Sequence, residues 1–259
     1  MVNYPAGTPS WVDLSTPDAA ASAGFYGGLM GWSATEPDAS GETGGYQLFQ
    51  QDGQTVAGLM PQTAEGQPTA WATYVSVDDA DATAAKVSEA GGAVILPPMD
   101  VTDLGRMAMF ADPTGAVFGI WQPREFAGAD LVNEPNSLCW NEVMTRDAAR
   151  NREFYPAVFG WGIGEAGFTG APESYVVWEL DGRGIGGMME MSEPYFPADV
   201  PAHWSVCFAV ADCDGTVARA RELGGTVLVE PVDMPIGRFA TLADPHGASF
   251  AIMQPAPAG

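Results

Sequence analysis

The sequence predicts an α+β protein built from β-α-β-β-β modules arranged in tandem. Ala111–Pro123 (ADPTGAVFGIWQP) and Ala243–Pro255 (ADPHGASFAIMQP) each place an Asp-Pro-x-Gly turn between apolar runs, a pattern typical of a β-hairpin. Other matching residues lie at a constant spacing: 140 − 11 = 129 for Trp, 154 − 25 = 129 for Phe and 161 − 32 = 129 for Trp. The chain is therefore predicted to be a duplication, with two modules in each half.

Each half begins with a strand followed by a helix. Ser10–Leu14 is the first predicted strand; Thr16 is expected to cap the helix after it, with Pro17 in the first helical position and Asp18 near the positive end of the helix dipole. Leu138–Val143 is the corresponding strand of the second half. The further predicted strands are Tyr46–Gln50, Val56–Met60, Trp71–Val77, Tyr175–Leu180, Ile185–Met189 and Trp204–Val210.

A second helix follows in each half. Asp79 and Asp212 are predicted to cap these helices, which are expected to end at Gly91 and Gly224 because glycine favours a helix C-terminus. Pro, Gly and charged residues without periodicity indicate a linker at 126–136. The predicted domains are thus residues 1–125 and 137–259.

The composition narrows the classes of partner. The 259 residues contain 10 Lys and Arg against 33 Asp and Glu, a formal charge of −23, which argues against binding to nucleic acid or to an anionic membrane. No apolar run of about 18 residues indicates a membrane span, and the N-terminus lacks the pattern of a signal peptide. The three cysteines have no zinc-site spacing. We expect a cytoplasmic monomer or homodimer whose partner is a small molecule.

These features together resemble one superfamily. The FY-x4-GW helix ends, the Asp-capped second helix and the DP-x-G final strand are similar to those of the glyoxalase / bleomycin-resistance / extradiol-dioxygenase (vicinal oxygen chelate) superfamily. The stretches TPSWVDLST, HW-x-V-x-FAV-x-D and GRFATLADPHGA resemble an actinobacterial two-domain subgroup that carries a hydroxylase label. The resemblance covers nearly the whole chain. It implies two domains, each pairing two modules whose curled sheets meet edge to edge around a cup.

The resemblance also implies where a metal would be bound. Metal-dependent relatives use a side chain of the first strand, a position that falls at Asp13 and Glu142 in this sequence. The remaining ligand positions fall on residues without suitable donors: Ala72, Ser205, Gly119 and Ala251. Glu190 lies near a fourth position, but Glu142 and Glu190 alone would make a poor transition-metal site. We therefore expect no metal and no other cofactor, which argues against ring-cleaving dioxygenase and metal-dependent glyoxalase I chemistry.

The two carboxylates are the predicted catalytic residues. A carboxyl group beside an indole in an apolar cup tends to have a raised pKa, so Glu142 or Asp13 is expected to move protons. Because strand side chains alternate, further residues share the faces of these carboxylates or lie opposite them. The predicted ligand-binding residues are Trp11, Trp140, Met144, Tyr74, Trp121, His203, Ser205, Cys207, Met253 and Glu190.

Alternatives to this site stay open at the level of sequence. Inward-facing Trp and Met residues also fill cores, and His203 fits an exposed strand end. Cys207 is a weak candidate nucleophile because no base lies beside it in the sequence, and a buried core residue is the better interpretation.

Three functions are compatible with the sequence. The first hypothesis is a metal-independent tailoring enzyme, of hydroxylase, isomerase or lyase type, that binds an aromatic or polyketide-like molecule. The second is a protein that binds and sequesters an antibiotic or metabolite. The third is a divergent glyoxalase-type lyase acting on methylglyoxal.

Overall fold

A computed structural model describes residues 4–37, 41, 43–64, 66–165, 175–192 and 196–257. In chain order the elements are β1 (Pro9–Thr16), α1 (Ala19–Met30), β2 (Ser33–Ala34), β3 (Gln47–Gln51), β4 (Gln54–Pro61), β5 (Ala70–Ser76), α2 (Ala80–Glu89), β6 (Ala93–Val101), β7 (Gly105–Ala111), β8 (Val117–Pro123), β9 (Leu138–Thr145), α3 (Ala148–Phe159), β10 (Gly162–Glu165), β11 (Val176–Leu180), β12 (Arg183–Glu190), β13 (His203–Ala209), α4 (Cys213–Glu222), β14 (Thr226–Met234), β15 (Gly237–Ala243) and β16 (Ser249–Pro255). The order is β-α-β-β-β four times over, which confirms the predicted α+β class and its modules.

Two eight-stranded sheets contain these strands. Their strand orders are β2-β3-β4-β1-β5-β8-β7-β6 and β10-β11-β12-β9-β13-β16-β15-β14, so the same topology occurs in both halves. Within each module the first strand pairs in parallel with the last one, as Asp13 does with Gly58 and Glu142 with Gly187. The hairpins that end the second and fourth modules are antiparallel, as the Asp-Pro-x-Gly turns predicted.

The first helix of the first half begins later than the sequence predicted. Thr16 remains the last residue of β1, and its hydroxyl lies 2.8 Å from that of Ser22. Asp18 is the N-cap instead, and its carboxylate accepts a hydrogen bond of 2.9 Å from the Ala21 amide. Asp147 caps α3 in the same way. The prediction of Thr16 was wrong because the strand continues to that residue, which leaves the next capping side chain to begin the helix.

The caps of the second helices are as predicted. Asp79 and Asp212 accept hydrogen bonds from backbone amides three residues further on. Gly91 and Gly224 follow the helix ends with φ of 86° and 89°, a conformation that favours glycine. None of the helices in the described ranges has both the length and the apolar character that crossing a membrane requires.

The repeated glutamine of the final strand also supports a helix. The side-chain oxygen of Gln122, on β8, accepts a hydrogen bond of 3.0 Å from the first amide of α2, that of Ala80. The side-chain oxygen of Gln254, on β16, accepts one of the same length from the Cys213 amide at the start of α4. Each glutamine therefore satisfies a backbone donor that the helix itself leaves without a partner.

The chain divides into two compact units, and each unit takes one module from each half of the sequence. Unit 1 consists of Met1–Trp11, Thr73–Gly128 and Trp140–Ser205, which are mainly the second and third modules. Unit 2 consists of Val12–Ala72, Ala129–Cys139 and Val206–Gly259, mainly the first and fourth modules. The domain boundaries at 125 and 137 stay a prediction.

Each unit has its own aromatic core. In unit 1 the rings of α3 and of the strands around it pack together; they are Phe110, Phe118, Phe154, Tyr155, Trp161, Trp178 and Trp204. In unit 2 the core is built in the same way around α1 and α4; its rings are Phe25, Tyr26, Trp32, Phe49, Trp71, Phe208 and Phe250. The strand residues of alternate parity lie on the faces opposite these cores.

The aspartate of each Asp-Pro-x-Gly turn connects the turn to a helix. Asp112 accepts hydrogen bonds through Oδ1 from the amides of Thr114 and Ala116, and through Oδ2 from Asn151 (3.0 Å) and the Tyr155 hydroxyl (2.8 Å). The corresponding carboxylate of unit 2, Asp244, accepts from the Tyr26 hydroxyl at 3.3 Å. The buried carboxylates are therefore satisfied by donors of their own turns and of the adjoining helices.

Candidate functional site

The candidate site of unit 1 is centred on Glu142. This residue lies in the middle of β9, only 7% exposed, opposite Gly187 of β12. Val143 points into the unit 1 core, so alternation places Trp140, Glu142 and Met144 on the other face of the strand. We call this the Glu142 face.

A chain of two hydrogen bonds reaches the carboxylate along this face. The indole Nε1 of Trp140 donates to the hydroxyl oxygen of Tyr175 at 2.9 Å. The Tyr175 hydroxyl donates to Oε2 of Glu142 at 3.0 Å. Since an indole N–H can only donate, the first bond runs from Trp140 to Tyr175. An ionised carboxylate can only accept, so the second bond runs from Tyr175 to Glu142.

A glycine makes room for the tyrosine. The Tyr175 side chain lies directly over Gly187, where a Cβ would collide with the hydroxyl and lie 2.8 Å from Cζ. That Cβ would also come within 3.1 Å of Trp140 Nε1. Any larger residue at position 187 would therefore displace Tyr175 from the carboxylate.

The first half of the chain repeats this arrangement in unit 2. Tyr46 donates a hydrogen bond of 3.2 Å to Oδ2 of Asp13, whose backbone neighbour on β4 is Gly58. A Cβ on Gly58 would collide with the Tyr46 hydroxyl, as at Gly187. The three positions have one offset: 142 − 13 = 129, 175 − 46 = 129 and 187 − 58 = 129.

Neither tyrosine is among the site residues predicted from the sequence. The signal that indicates them is the shared offset, together with the same spacing from each tyrosine to its glycine: 58 − 46 = 12 and 187 − 175 = 12. Each tyrosine immediately precedes a strand, so alternation within the carboxylate strand does not reveal it.

Electrostatics distinguish Glu142 from an ordinary surface carboxylate. Burial raises the pKa of Glu142 above its usual value, because a charged carboxylate loses hydration inside the protein. The hydrogen bond from Tyr175 acts in the opposite direction and lowers this pKa in part. The net direction is upward, so the carboxyl group keeps its proton to higher pH and is better matched to proton transfer near neutrality.

Three of the predicted binding aromatics are buried in unit 1. Trp11 and Trp121 both pack against the ring of Phe126, at centroid distances of 4.9 and 6.0 Å. The Trp121 indole also donates to the Phe126 carbonyl at 2.7 Å. The ring of Tyr74 lies over Gly119, where a Cβ would be 2.9 Å from the ring Cγ. All three side chains thus have close protein neighbours.

The remaining predicted residues of unit 1 differ in their exposure. His203 is half-buried, with Nδ1 2.9 Å from the Pro201 carbonyl, and Ser205 is also half-buried. Glu190 is exposed at the end of β12 opposite Thr145, so the structure does not bring it to the Glu142 face.

Two of the predicted residues lie in unit 2. Cys207, which is buried, lies opposite Ala251 in β16. Met253 is half-buried, and its neighbours are Ala209 on β13 and Phe239 on β15.

The residues present do not fit the metal centre that the family resemblance implies. Gly119 has no room for a side chain because the ring of Tyr74 occupies the space. The carboxylates of Asp13 and Glu142 accept hydrogen bonds from tyrosines. Among the residues that the structure describes, no group of three or more His, Cys, Asp or Glu side chains is arranged to hold a metal ion. Metal independence itself stays a prediction.

Comparison with known proteins identifies the family. The model of the Glyoxalase/Bleomycin resistance protein/Dioxygenase superfamily matches residues 8–120 and 137–252, and the chain belongs to this superfamily. It is 42% identical to "Anthracycline biosynthesis protein DnrV" of Streptomyces peucetius, over 98% of this chain and 95% of that protein. It is 43% identical to "Putative glyoxylase CFP32" of Mycobacterium tuberculosis, over 98% of this chain and 97% of that protein.

Solved structures of low sequence identity share the fold. The Mn(II)-bound glyoxalase from Novosphingobium aromaticivorans has a TM-score of 0.63 at 17% identity, over 97% of this chain and 88% of that one. The 2,3-dioxygenase LapB from Pseudomonas sp. KL28 has a TM-score of 0.64 at 14% identity, over 99% and 96% of the two chains. These structures confirm the fold predicted from the sequence, and the match of the family model confirms the predicted superfamily.

Proposed function

We propose that this protein is a tailoring enzyme that binds a flat, polycyclic aromatic molecule of the anthracycline type and moves a proton on it with Glu142. The observation that carries the proposal is the directed hydrogen-bond chain from Trp140 through Tyr175 to a buried carboxyl group of raised pKa. The relative named for anthracycline biosynthesis, which matches over nearly its whole length, supports the ligand class.

The hydrogen-bond chain favours one carboxyl oxygen of Glu142 as the reactive one. Oε2 of Glu142 accepts the proton of Tyr175, so the exchangeable proton of the carboxylic acid belongs on Oε1. The ionised form takes a proton at Oε1 from a carbon next to a ligand carbonyl, and the C–H electron pair becomes the C=C bond of an enolate. The protonated form then returns this proton, either to the enolate oxygen or to a carbon. The sum is a tautomerisation, which needs no oxidant and no further reactant.

The surroundings of Glu142 suit a flat ligand. Trp140 and Met144 share its face, so an indole and a polarisable thioether border the carboxyl group. The indole is fixed by its bond to Tyr175, which lowers the entropy lost when a ring stacks on it. The acidic protein as a whole, with a formal charge of −23, favours a neutral or cationic ligand over a polyanion.

Hydrogen exchange on a bound ligand tests the proposal. A hydroxyanthraquinone with an enolisable side-chain ketone is titrated against tryptophan fluorescence, and its exchange in D2O is followed by mass spectrometry. Glu142→Gln keeps the shape and an acceptor for Tyr175, so affinity should change less than about 3-fold while exchange falls at least about 100-fold. Asp13→Asn, at the equivalent position of the first half, is the matched control and should retain most of the exchange.

The other outcomes decide between functions. Equal exchange in wild type and Glu142→Gln would exclude Glu142 as the acid–base. Tight binding with no exchange above the protein-free rate in any variant would favour a sequestering protein, the second function that the sequence suggests. Absence of binding would remove the anthracycline-type ligand from the proposal.

A further inference from the structure

A pair of cysteines lies in unit 2, whereas the Glu142 face belongs to unit 1. Cys139, near the start of β9, has its Sγ 3.8 Å from the Sγ of Cys207 on β13 and 3.3 Å from the Cys207 carbonyl oxygen. The two strands are neighbours in the second sheet. We propose that Cys139 and Cys207 are a modification site at which a hydroperoxide forms a reversible intrachain disulfide.

The geometry suits a disulfide. Neighbouring strands lie about 4.8 Å apart, and a disulfide spans Cα separations of about 4.4–6.8 Å. The two sulfurs are already in van der Waals contact, so rotation about the side-chain bonds can bring them to the bonded separation of about 2.05 Å without moving the strands far.

The repeat shows that packing does not require two sulfurs here. The position of Cys139 in the first half is Ser10 (139 − 129 = 10), and that of Cys207 is Tyr74 (207 − 133 = 74, the offset that also relates Trp204 to Trp71). The first half therefore forms the same two strands with a hydroxyl and a phenol in these places. The sulfur pair is a feature of the second half alone.

The accessibility of the two thiols differs in a way that fits stepwise oxidation. Cys139 is half-buried and can meet a solvent oxidant, whereas Cys207 is 5% exposed. The Cys139 thiolate attacks one peroxide oxygen, the O–O bond breaks, and Cys139 becomes a sulfenic acid. The Cys207 sulfur then attacks the Cys139 sulfur, and the sulfenic oxygen leaves as water. With hydrogen peroxide the sum is two thiols and one peroxide giving one disulfide and two waters.

The third cysteine is an internal control. Cys213 is fully buried as the first residue of α4. Burial, together with the charge of Asp214, raises the pKa of its thiol, which lowers the fraction of reactive thiolate at a given pH. Cys213 should therefore remain a thiol under conditions that oxidise the pair.

Thiol counting on the full chain tests the inference. The reduced protein is treated with a small excess of hydrogen peroxide, denatured and titrated, and its peptides are mapped. We expect a fall from three thiols to one, a peptide linking Cys139 to Cys207, and recovery of three thiols with dithiothreitol. Cys213→Ser should fall from two thiols to none. Cys139→Ser, which introduces the residue found at position 10, should keep both of its thiols.

Three results would overturn the inference. One is retention of all three thiols at peroxide concentrations that oxidise free cysteine within the same time. Another is a crosslink that includes Cys213 or joins two chains. The last is a stable sulfenic or sulfinic acid at Cys139 in the wild-type protein, which would mean that Cys207 does not reach it.

Discussion

At the scale of single residues, the sequence predicts Glu142 but not Tyr175, whose hydroxyl donates a hydrogen bond to it. Glu142 and Trp140 can be found because they share one strand and its alternation. Tyr175 lies 33 residues from Glu142, and its approach depends on a hairpin and on a glycine that leaves space for a phenol. Side-chain contacts of this kind depend on register and on free volume, which a pattern of residue types does not specify.

Removing the Tyr175 hydroxyl should shift the pH dependence of the site. The hydrogen bond from Tyr175 favours the ionised form of Glu142, so Tyr175→Phe should raise the pKa of Glu142 further. The fraction of base at a given pH falls, and the rising limb of the pH–rate profile moves to higher pH. At neutral pH we expect about a 10-fold slower ligand exchange, in line with one hydrogen bond to a charged group.

The matched control is Tyr46→Phe in the first half, which should leave that profile in place. The measurement is ligand exchange between pH 5 and pH 9 with each variant. A Tyr175→Phe profile that stays in place, or moves to lower pH, would show that the Tyr175 hydroxyl does not lower the pKa of Glu142.

At the scale of elements, the local sequence predicts where most of the helices and turns begin and end. The caps at Asp79 and Asp212 and the Asp-Pro-x-Gly turns follow from short-range rules. Thr16 shows where such rules fail, because two capping side chains lie two residues apart and the length of the preceding strand selects the second. The connection from Asp112 to Tyr155, 43 residues further on, is also beyond a local pattern.

The hydrogen bond from the helix tyrosine to the turn aspartate should contribute unequally to the stability of the two units. In unit 1 Tyr155→Phe removes a donor 2.8 Å from Asp112 and leaves the Trp204 indole without that acceptor. We expect a loss of about 1–3 kcal/mol in the free energy of unfolding. Tyr26→Phe should cost less, because the bond from Tyr26 to Asp244 is longer, at 3.3 Å.

Urea unfolding of the two variants measures the difference. Both substitutions keep the ring and its packing, so each serves as the packing control for the other. An equal loss, or a larger one for Tyr26→Phe, would mean that the length of the hydrogen bond to the carboxylate does not set the cost of losing the hydroxyl.

At the scale of the whole molecule, the duplication is visible in the sequence but the pairing of modules is not. Offsets reveal that the halves are alike, and the composition of residues 126–136 indicates a linker between them. The compact units instead combine the second module with the third and the first with the fourth. Four similar modules present similar apolar faces, so hydrophobic patterning alone does not specify which two faces meet.

Separate expression of the halves tests the predicted domain boundaries. The helix α1 shares its core with α4, and α2 with α3, so each half in isolation exposes two apolar faces. We expect that residues 1–125 and residues 137–259 do not form stable monomers, and that mixing them restores the near-ultraviolet circular dichroism of the full chain. Sedimentation and circular dichroism provide the measurement. A cooperative, monomeric fragment 1–125 would establish the half as an independent domain.

Each compact unit combines one module from each half, and this has a consequence for how such a chain evolves. A gene that encoded one half would give a product able to cover its apolar faces only by pairing with a second copy. Fusion of two such genes makes the pairing intramolecular, so assembly no longer depends on protein concentration. It also allows the sequences of the two halves to diverge, because each apolar face then packs against one particular partner face. The two halves differ at such positions: the first has Asp13 where the second has Glu142, and Ser10 where the second has Cys139.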